Sequence, residues 1–230
     1  MILISDVDGC LSKGRFSPFD LNALMQVKKI VDERNIDLIL ASGRSQAYLE
    51  CLSQLLGLTT PYICENGAAI FCPQTKDYIY KPTSSHNISI INTIEAEFGN
   101  NVRFEPNKQF TVSLRLEGLG FTSIEQELSA IQSLLQSNDG LHVTHSNSAI
   151  DIMPAGCSKG IALNYLRTAK GWAADTLRGF GDSTNDLDFL KLCLVSGAPS
   201  NCNSTISSVV DYKSEFEHIH GFIDFLNHII

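Results

Sequence analysis

Two carboxylates stand one residue apart near the amino terminus, Asp6 and Asp8 in MILISDVDGCLSKG, directly after the apolar run Ile2-Leu3-Ile4. Like charges this close repel unless water or a shared cation compensates them. Such a pair is either a polar turn, where aspartate is favoured, or a site that holds a metal ion and uses an acid in chemistry. Three more polar clusters follow apolar runs: Ser42-Gly43-Arg44, Glu65-Asn66-Gly67 and Gly181-Asp182-Ser183-Thr184-Asn185-Asp186. Taken singly, each reads as a turn or a helix cap, because serine, aspartate and asparagine lead the N-cap preferences. Lys159 fits that reading less easily. It follows Ser158 at the start of an expected helix, where the macrodipole disfavours a cation, and it makes better sense with an anion beside it.

Together these residues suit phosphoryl transfer. A magnesium ion takes one or two carboxylates and keeps its other positions for water and phosphate oxygens. One aspartate can attack phosphorus and carry the group as an aspartyl phosphate. A second acid protonates the leaving oxygen and later deprotonates water. Ser42, with Gly43 beside it, and Lys159 can bind the equatorial oxygens as charge develops. A dication against Asp6 and Asp8 lets both stay ionised.

The elements expected to position these groups alternate. Apolar runs at 2–5, 36–40, 62–64, 176–180 and 194–196 read as strands. Between them, helices are expected from the Ser17-Pro18 cap signal onward, at 45–56, 158–169 and 187–192, with another at 220–229. This alternation describes a parallel sheet covered by helices. Ligands bind beyond the carboxyl ends of such strands, so the four polar clusters share one rim if their strands are neighbours. The rhythm changes over 81–153: a helix at 88–98, strands at 102–105 and 109–116, a helix at 123–135, and strands at 141–145 and 149–153. Paired strands between single helices predict an antiparallel sheet, hence an α+β unit inserted into an α/β core formed by 1–80 and 154–230.

Composition limits the partners. The 230 residues are 43% hydrophobic and 18% charged, with a formal net charge of −8, an ordinary mixture for a globular protein with a real core. An acidic chain lacks the basic face that a nucleic-acid or membrane-surface binder needs. Seven cysteines, odd in number and without a CxxC pair, suit reduced thiols in a cytoplasmic protein better than a disulfide framework or a zinc site. No run approaches the roughly 20 apolar residues of a membrane span.

The ordered set DVDGCL, ASGR, SKG and GDSTND resembles the four motifs of the haloacid dehalogenase-like phosphatases. The ENGA segment and the insertion between the second and third motifs are similar to the Cof-type branch, which includes sugar phosphatases, sucrose-phosphate phosphatase and archaeal phosphoglycolate phosphatase. The resemblance implies a Rossmann-like core carrying an α+β cap. It implies that Asp6 is the nucleophile and a Mg2+ ligand, and that Asp8 is the general acid and base, reaching the metal through its backbone carbonyl. Ser42 and Lys159 would hold the phosphate and Asp182 would ligate the metal, with Asp186 on the ion or just behind it. Asn185 would face the substrate or phosphate, and Glu65 and Asn66 would meet the substrate from the rim. Dehalogenases of this group lack the second acid of the first motif, so Asp8 points to phosphatase chemistry. One residue departs from the pattern: Cys10 stands where the family has threonine or valine, and a thiol is a weak hydrogen-bond partner.

The expected activity is thus magnesium-dependent hydrolysis of a small phosphorylated metabolite, a sugar phosphate or a phosphoglycolate-like acid. The alternatives are a phosphomutase of the phosphomannomutase type, which returns the phosphate to its substrate, and a silent phosphometabolite binder. A silent binder has no need to keep Asp6 and Asp8 together. In the cap, Arg103, Lys108 and Arg115 are candidates for a second anionic group of the substrate, and His142, His145, Ser146 and Asn147 for hydrogen bonds to it. The stretch Ser196-Gly197-Ala198-Pro199-Ser200-Asn201 reads as a strand-to-loop connection near the metal site that either supports the site or merely turns the chain, with the turn favoured.

Overall fold

All four side chains of the first strand, β1 (Ile2–Ser5), are buried, the pattern of a parallel strand covered on both faces. A computed structural model describes residues 1–82, 87–136, 138, 140–145 and 149–229 of the chain. Strand β1 lies in parallel between β2 (Asp37–Leu40) and β10 (Leu177–Phe180). With β11 (Val195–Ala198) and β12 (Tyr212–Lys213) they form a parallel sheet of order β12-β11-β10-β1-β2. The chain divides into two compact units, Met1–Tyr80 with Ser158–Ile230, and Lys81–Cys157.

In the first unit, helices cover both sheet faces. Ile2, Ile4 and Ile39 pack with Leu163 and Leu166 of α5 (Lys159–Lys170) and with Phe189 of α6 (Leu187–Leu190). Leu3 alternates to the other face and is equally buried. On that side Phe180 packs on Phe222 and Phe225 of α8 (His218–His228), which lies against α1 (Leu21–Glu33). Each such buried leucine, isoleucine or phenylalanine contributes on the order of 1.5–3 kcal/mol. The remaining helices of this unit are α2 (Gln46–Leu56) and α7 (Ser204–Ser207). Helix α1 starts later than Ser17-Pro18 suggested. Asp20 is its cap and accepts the Ala23 N–H at 3.0 Å, an arrangement as good as a serine cap.

One strand belongs elsewhere than expected. β3 (Tyr62–Cys64) meets the parallel sheet through a bridge between Ala41 and Ile63, and pairs in an antiparallel sheet with β4 (Ala69–Cys72) and β5 (Asp77–Tyr80). The cause is local. Glu65, Asn66 and Gly67 take φ values of 50, 56 and 90°, a left-handed run that reverses the chain and sets Cys64 opposite Ala69.

The second unit is an antiparallel sheet of order β6-β7-β9-β8, built from β6 (Val102–Phe104), β7 (Val112–Leu116), β8 (Leu141–His145) and β9 (Ile150–Pro154). Val112, Leu114 and Leu116 alternate onto one face with Ile150 and Ile152, under Ile90 and Ile94 of α3 (Asn87–Phe98) and Ile131 and Leu135 of α4 (Ile124–Leu135). Among the described residues no helix is long and apolar enough to cross a membrane.

Candidate functional site

Register brings the polar clusters to one level. Ser5 pairs with Phe180 on one side and Leu40 on the other, so Asp6, Asp182 and Ser42 all follow strand ends on the same rim. β11 ends beside them at Ala198, and Asn201 follows it. Glu65 and Asn66 reach the rim because Ser42 N–H donates to Ile63 O at 2.9 Å and Asn66 N–H to Ser42 O at 3.0 Å.

The centre is a buried lysine between carboxylates. Lys159, only 1% exposed, sits with Nζ 2.9 Å from Asp6 Oδ1 and 2.6 Å from Asp186 Oδ1. Ser158 caps α5 by accepting the Ile161 N–H, and the anions that the helix start called for are these two side chains. Burial alone would push Lys159 down, but Asp186 and Asp6 outweigh it and hold the ammonium charged. The other oxygen of Asp186 accepts the amides of Asp182 and Ser183 at 3.0 Å each. Both of its oxygens are therefore engaged, and Asp186 fixes the 182–186 turn and the lysine.

Asp6, despite its pairing with Lys159, and Asp182 are both held above the ordinary carboxylate range. Burial, then repulsion from Asp186, pushes Asp6 up, and burial, then repulsion from Asp6 and Asp186, pushes Asp182 up. One donor atom from each, with the Cys10 sulfur, lies within 4.8 Å of the others. Two buried carboxylates held close and resisting ionisation fit a hard dication, which Mg2+ is. Asp6 and Asp182 are the carboxylates that would hold it.

Asp8 points its side chain to a different partner. Arg44 Nε donates to Oδ2 at 2.6 Å and Nη2 to Oδ1 at 2.7 Å, and the guanidinium lies over the Tyr48 ring at 4.7 Å. Arg44 belonged to the ASGR stretch, yet its reach to Asp8 across the rim is not visible in sequence. Ser42 is buried and its Oγ accepts the Arg44 N–H at 3.2 Å. Asn185 Nδ2 donates to Asn66 Oδ1 at 3.1 Å, and a Cβ on Gly43 would come within 2.9 Å of that same oxygen. Gly43 is thus the residue that lets Asn66 approach. Glu65 is fully buried and its N–H donates to Arg44 O. Asp6, Asp8, Ser42, Gly43, Glu65, Asn66, Lys159, Asp182, Asn185 and Asp186 therefore all gather in one unit.

Two further residues were not expected here. Asn201 Nδ2 donates to Gly9 O at 3.0 Å, Asn201 Oδ1 accepts the His218 N–H at 2.7 Å, and His218 Nδ1 lies 3.1 Å from the Gly9 carbonyl. The 196–201 stretch, read as a plain turn, clasps the loop that follows the Asp6 strand. In the second unit, Arg115 is spent on Glu127 through bonds of 3.0 and 2.6 Å, and Arg103 pairs with Glu117 at 3.7 Å on the surface. Lys108, its side chain 5% exposed, lies 3.6 Å from Glu105 and 3.9 Å from Asp151. His142 and His145 fall on opposite faces of β8, while Ser146 and Asn147 lie outside the described residues.

Comparison with known proteins bears on this site. The family model of haloacid dehalogenase-like hydrolases matches residues 3–113 and 105–226. A phosphoglycolate phosphatase of Methanospirillum hungatei is 25% identical over 227 residues, spanning 97% of this chain and 94% of that one. Among solved structures, a protein of Thermoplasma acidophilum superposes with a TM-score of 0.83 at 19% identity, covering 99% of this chain and 96% of that chain. The sucrose-phosphatase of Synechocystis, solved with sucrose and phosphate, gives 0.73 at 18% identity over 99% and 97% of the two chains.

Proposed function

This chain belongs to the haloacid dehalogenase-like hydrolases and is a phosphatase of small phosphorylated molecules; we propose that it works with Mg2+ and through an aspartyl phosphate on Asp6. The observation that carries the reading is the double pairing of Lys159 with Asp6 and Asp186. It holds one oxygen of Asp6 in place at the mouth of the parallel sheet and puts a fixed cation where phosphate oxygens arrive.

In this account Asp6 attacks phosphorus, forming an Asp6 Oδ–P bond as the bond to the leaving oxygen breaks. Asp8, carrying a proton taken up from solvent, gives it to that oxygen and later takes one from the water that breaks the Asp6 Oδ–P bond. Because Arg44 occupies both Asp8 oxygens, one of those bonds opens before Asp8 acts. Ser42 and Lys159 bind the oxygens of the transferred group, and Asp186 keeps the lysine aimed. Mg2+, held by Asp6, Asp182 and the Asp8 carbonyl, would supply positive charge against the phosphoryl oxygens.

Phosphoglycolate heads the substrate panel because the Methanospirillum hungatei relative carries that name over nearly the whole chain; sugar phosphates complete it. The cysteines are thiols, which suits a reducing cytoplasm. The test is inorganic phosphate release from that panel with Mg2+ and with EDTA. Release that needs the metal supports the reading. Turnover in EDTA would remove Mg2+ from it, and conversion of a sugar phosphate to its isomer without net release would replace it with the mutase.

A further inference from the structure

Cys10 is fully buried, and its sulfur lies 3.8 Å from Asp182 Oδ1. The loop that carries it wraps that carboxylate closely. Gly9 has φ +89°, and a Cβ there would come within 2.2 Å of Asp182 Oδ2. A tetrahedral ion with sulfur at about 2.3 Å and a carboxylate oxygen at about 2.0 Å sets the two donors about 3.5 Å apart. The Cys10–Asp182 spacing is close to that value, and Asp6 completes a set of three donors within 4.8 Å of one another.

We propose that the Asp6–Asp182 metal site of this chain is a mixed oxygen and sulfur site, in which Cys10 captures a thiophilic divalent ion of the Zn2+ class. The proposal rests on the assignment of Asp6 and Asp182 as metal ligands. Mg2+ is hard and gains nothing from sulfur, whereas thiolate ligands favour Zn2+ and its neighbours. Binding follows Cys10-SH + M2+ → Cys10-S–M+ + H+, the proton leaving to solvent, as expected of a coordinating thiol. A thiophilic ion held by Cys10, Asp6 and Asp182 takes the place of Mg2+ at this site.

Co2+ is the probe, because its thiolate complexes absorb at wavelengths where protein is transparent. Metal-free protein is titrated with Co2+, and the difference between the native chain and Cys10→Thr cancels the thiols elsewhere. The expected result is a sulfur-to-cobalt band that excess Mg2+ displaces and that Cys10→Thr and Cys10→Ser lack. Their Co2+ affinity falls by at least about tenfold, while a thermal shift with Mg2+ shows that the site still folds. Equal Co2+ affinity in native and Cys10→Thr proteins, or no band in the native chain, overturns the sulfur ligand and leaves the magnesium site standing. Retention of the Mg2+ thermal shift in Asp182→Asn overturns the magnesium assignment and this proposal with it.

Discussion

Arg44 grips Asp8 with both ends of its guanidinium, Nε to Oδ2 at 2.6 Å and Nη2 to Oδ1 at 2.7 Å. A planar fork matched to a carboxylate fixes direction as well as charge. Steady-state kinetics on a double-mutant cycle test what this does. Asp8→Asn is expected to lower kcat by about 10²–10⁴-fold, the range for a general acid and base. Arg44→Lys should lower it less and add little in the Asp8→Asn background, because the two residues act as one unit. Additive losses would show that Arg44 works independently of Asp8.

Lys159 is buried between Asp6 and Asp186, and removing its charge leaves both acids uncompensated. Lys159→Met should cost roughly 3–5 kcal/mol of stability, the usual loss when one partner of a buried ion pair is deleted. Chemical denaturation of the two proteins measures it. A neutral outcome would mean that Asp6 and Asp186 do not depend on the lysine charge in the native state.

Asp6 is raised to about 7 and Asp182 to about 9, by burial first and then by neighbouring carboxylates. A carboxylate raised in the folded state binds its proton more tightly there than in the unfolded chain. Its contribution to metal-free stability is therefore most favourable below the unfolded pKa, near 4, and declines as pH rises through the folded value. Mg2+ competes with those same protons. The Tm gain on adding Mg2+ to EDTA-treated protein should be small near about pH 5 and grow steadily toward about pH 9. A gain that stays flat with pH contradicts the assignment.

Asn201 and His218 converge on the Gly9 carbonyl from a loop and a helix start distant in sequence. Asn201→Ala removes one donor to that carbonyl and the acceptor of the His218 N–H. The expected loss is about 1–3 kcal/mol of stability, with weaker Mg2+ binding because Gly9 borders Asp182. Titration of Mg2+ by thermal shift reads both effects; unchanged values would reduce the clasp to a plain turn.

Four of the five strands of the parallel sheet were legible in the sequence as short apolar runs, and the polar clusters at Asp6, Ser42 and Asp182 do follow strand ends on one rim; the two-residue β12 is too short to show an apolar pattern. Some features escaped. β4 and β5 were missed, and β3 was assigned to the wrong sheet, because the reversal depends on left-handed conformations at Glu65 and Asn66 as well as at Gly67. Only glycine announces such a backbone in sequence. Arg44, Asn201 and His218 escaped for another reason. Their roles are contacts to Asp8 and Gly9, and spacing along the chain carries no trace of a pairing made across the rim.

The central claim is that phosphate passes through Asp6. A single turnover with an active phosphorylated substrate, quenched in acid and followed by peptide mass spectrometry, tests it directly. The account predicts a phosphorylated peptide with the modification on Asp6, and none from Asp6→Asn, which should also release no phosphate. A modification on another residue, or full turnover by Asp6→Asn, would contradict it.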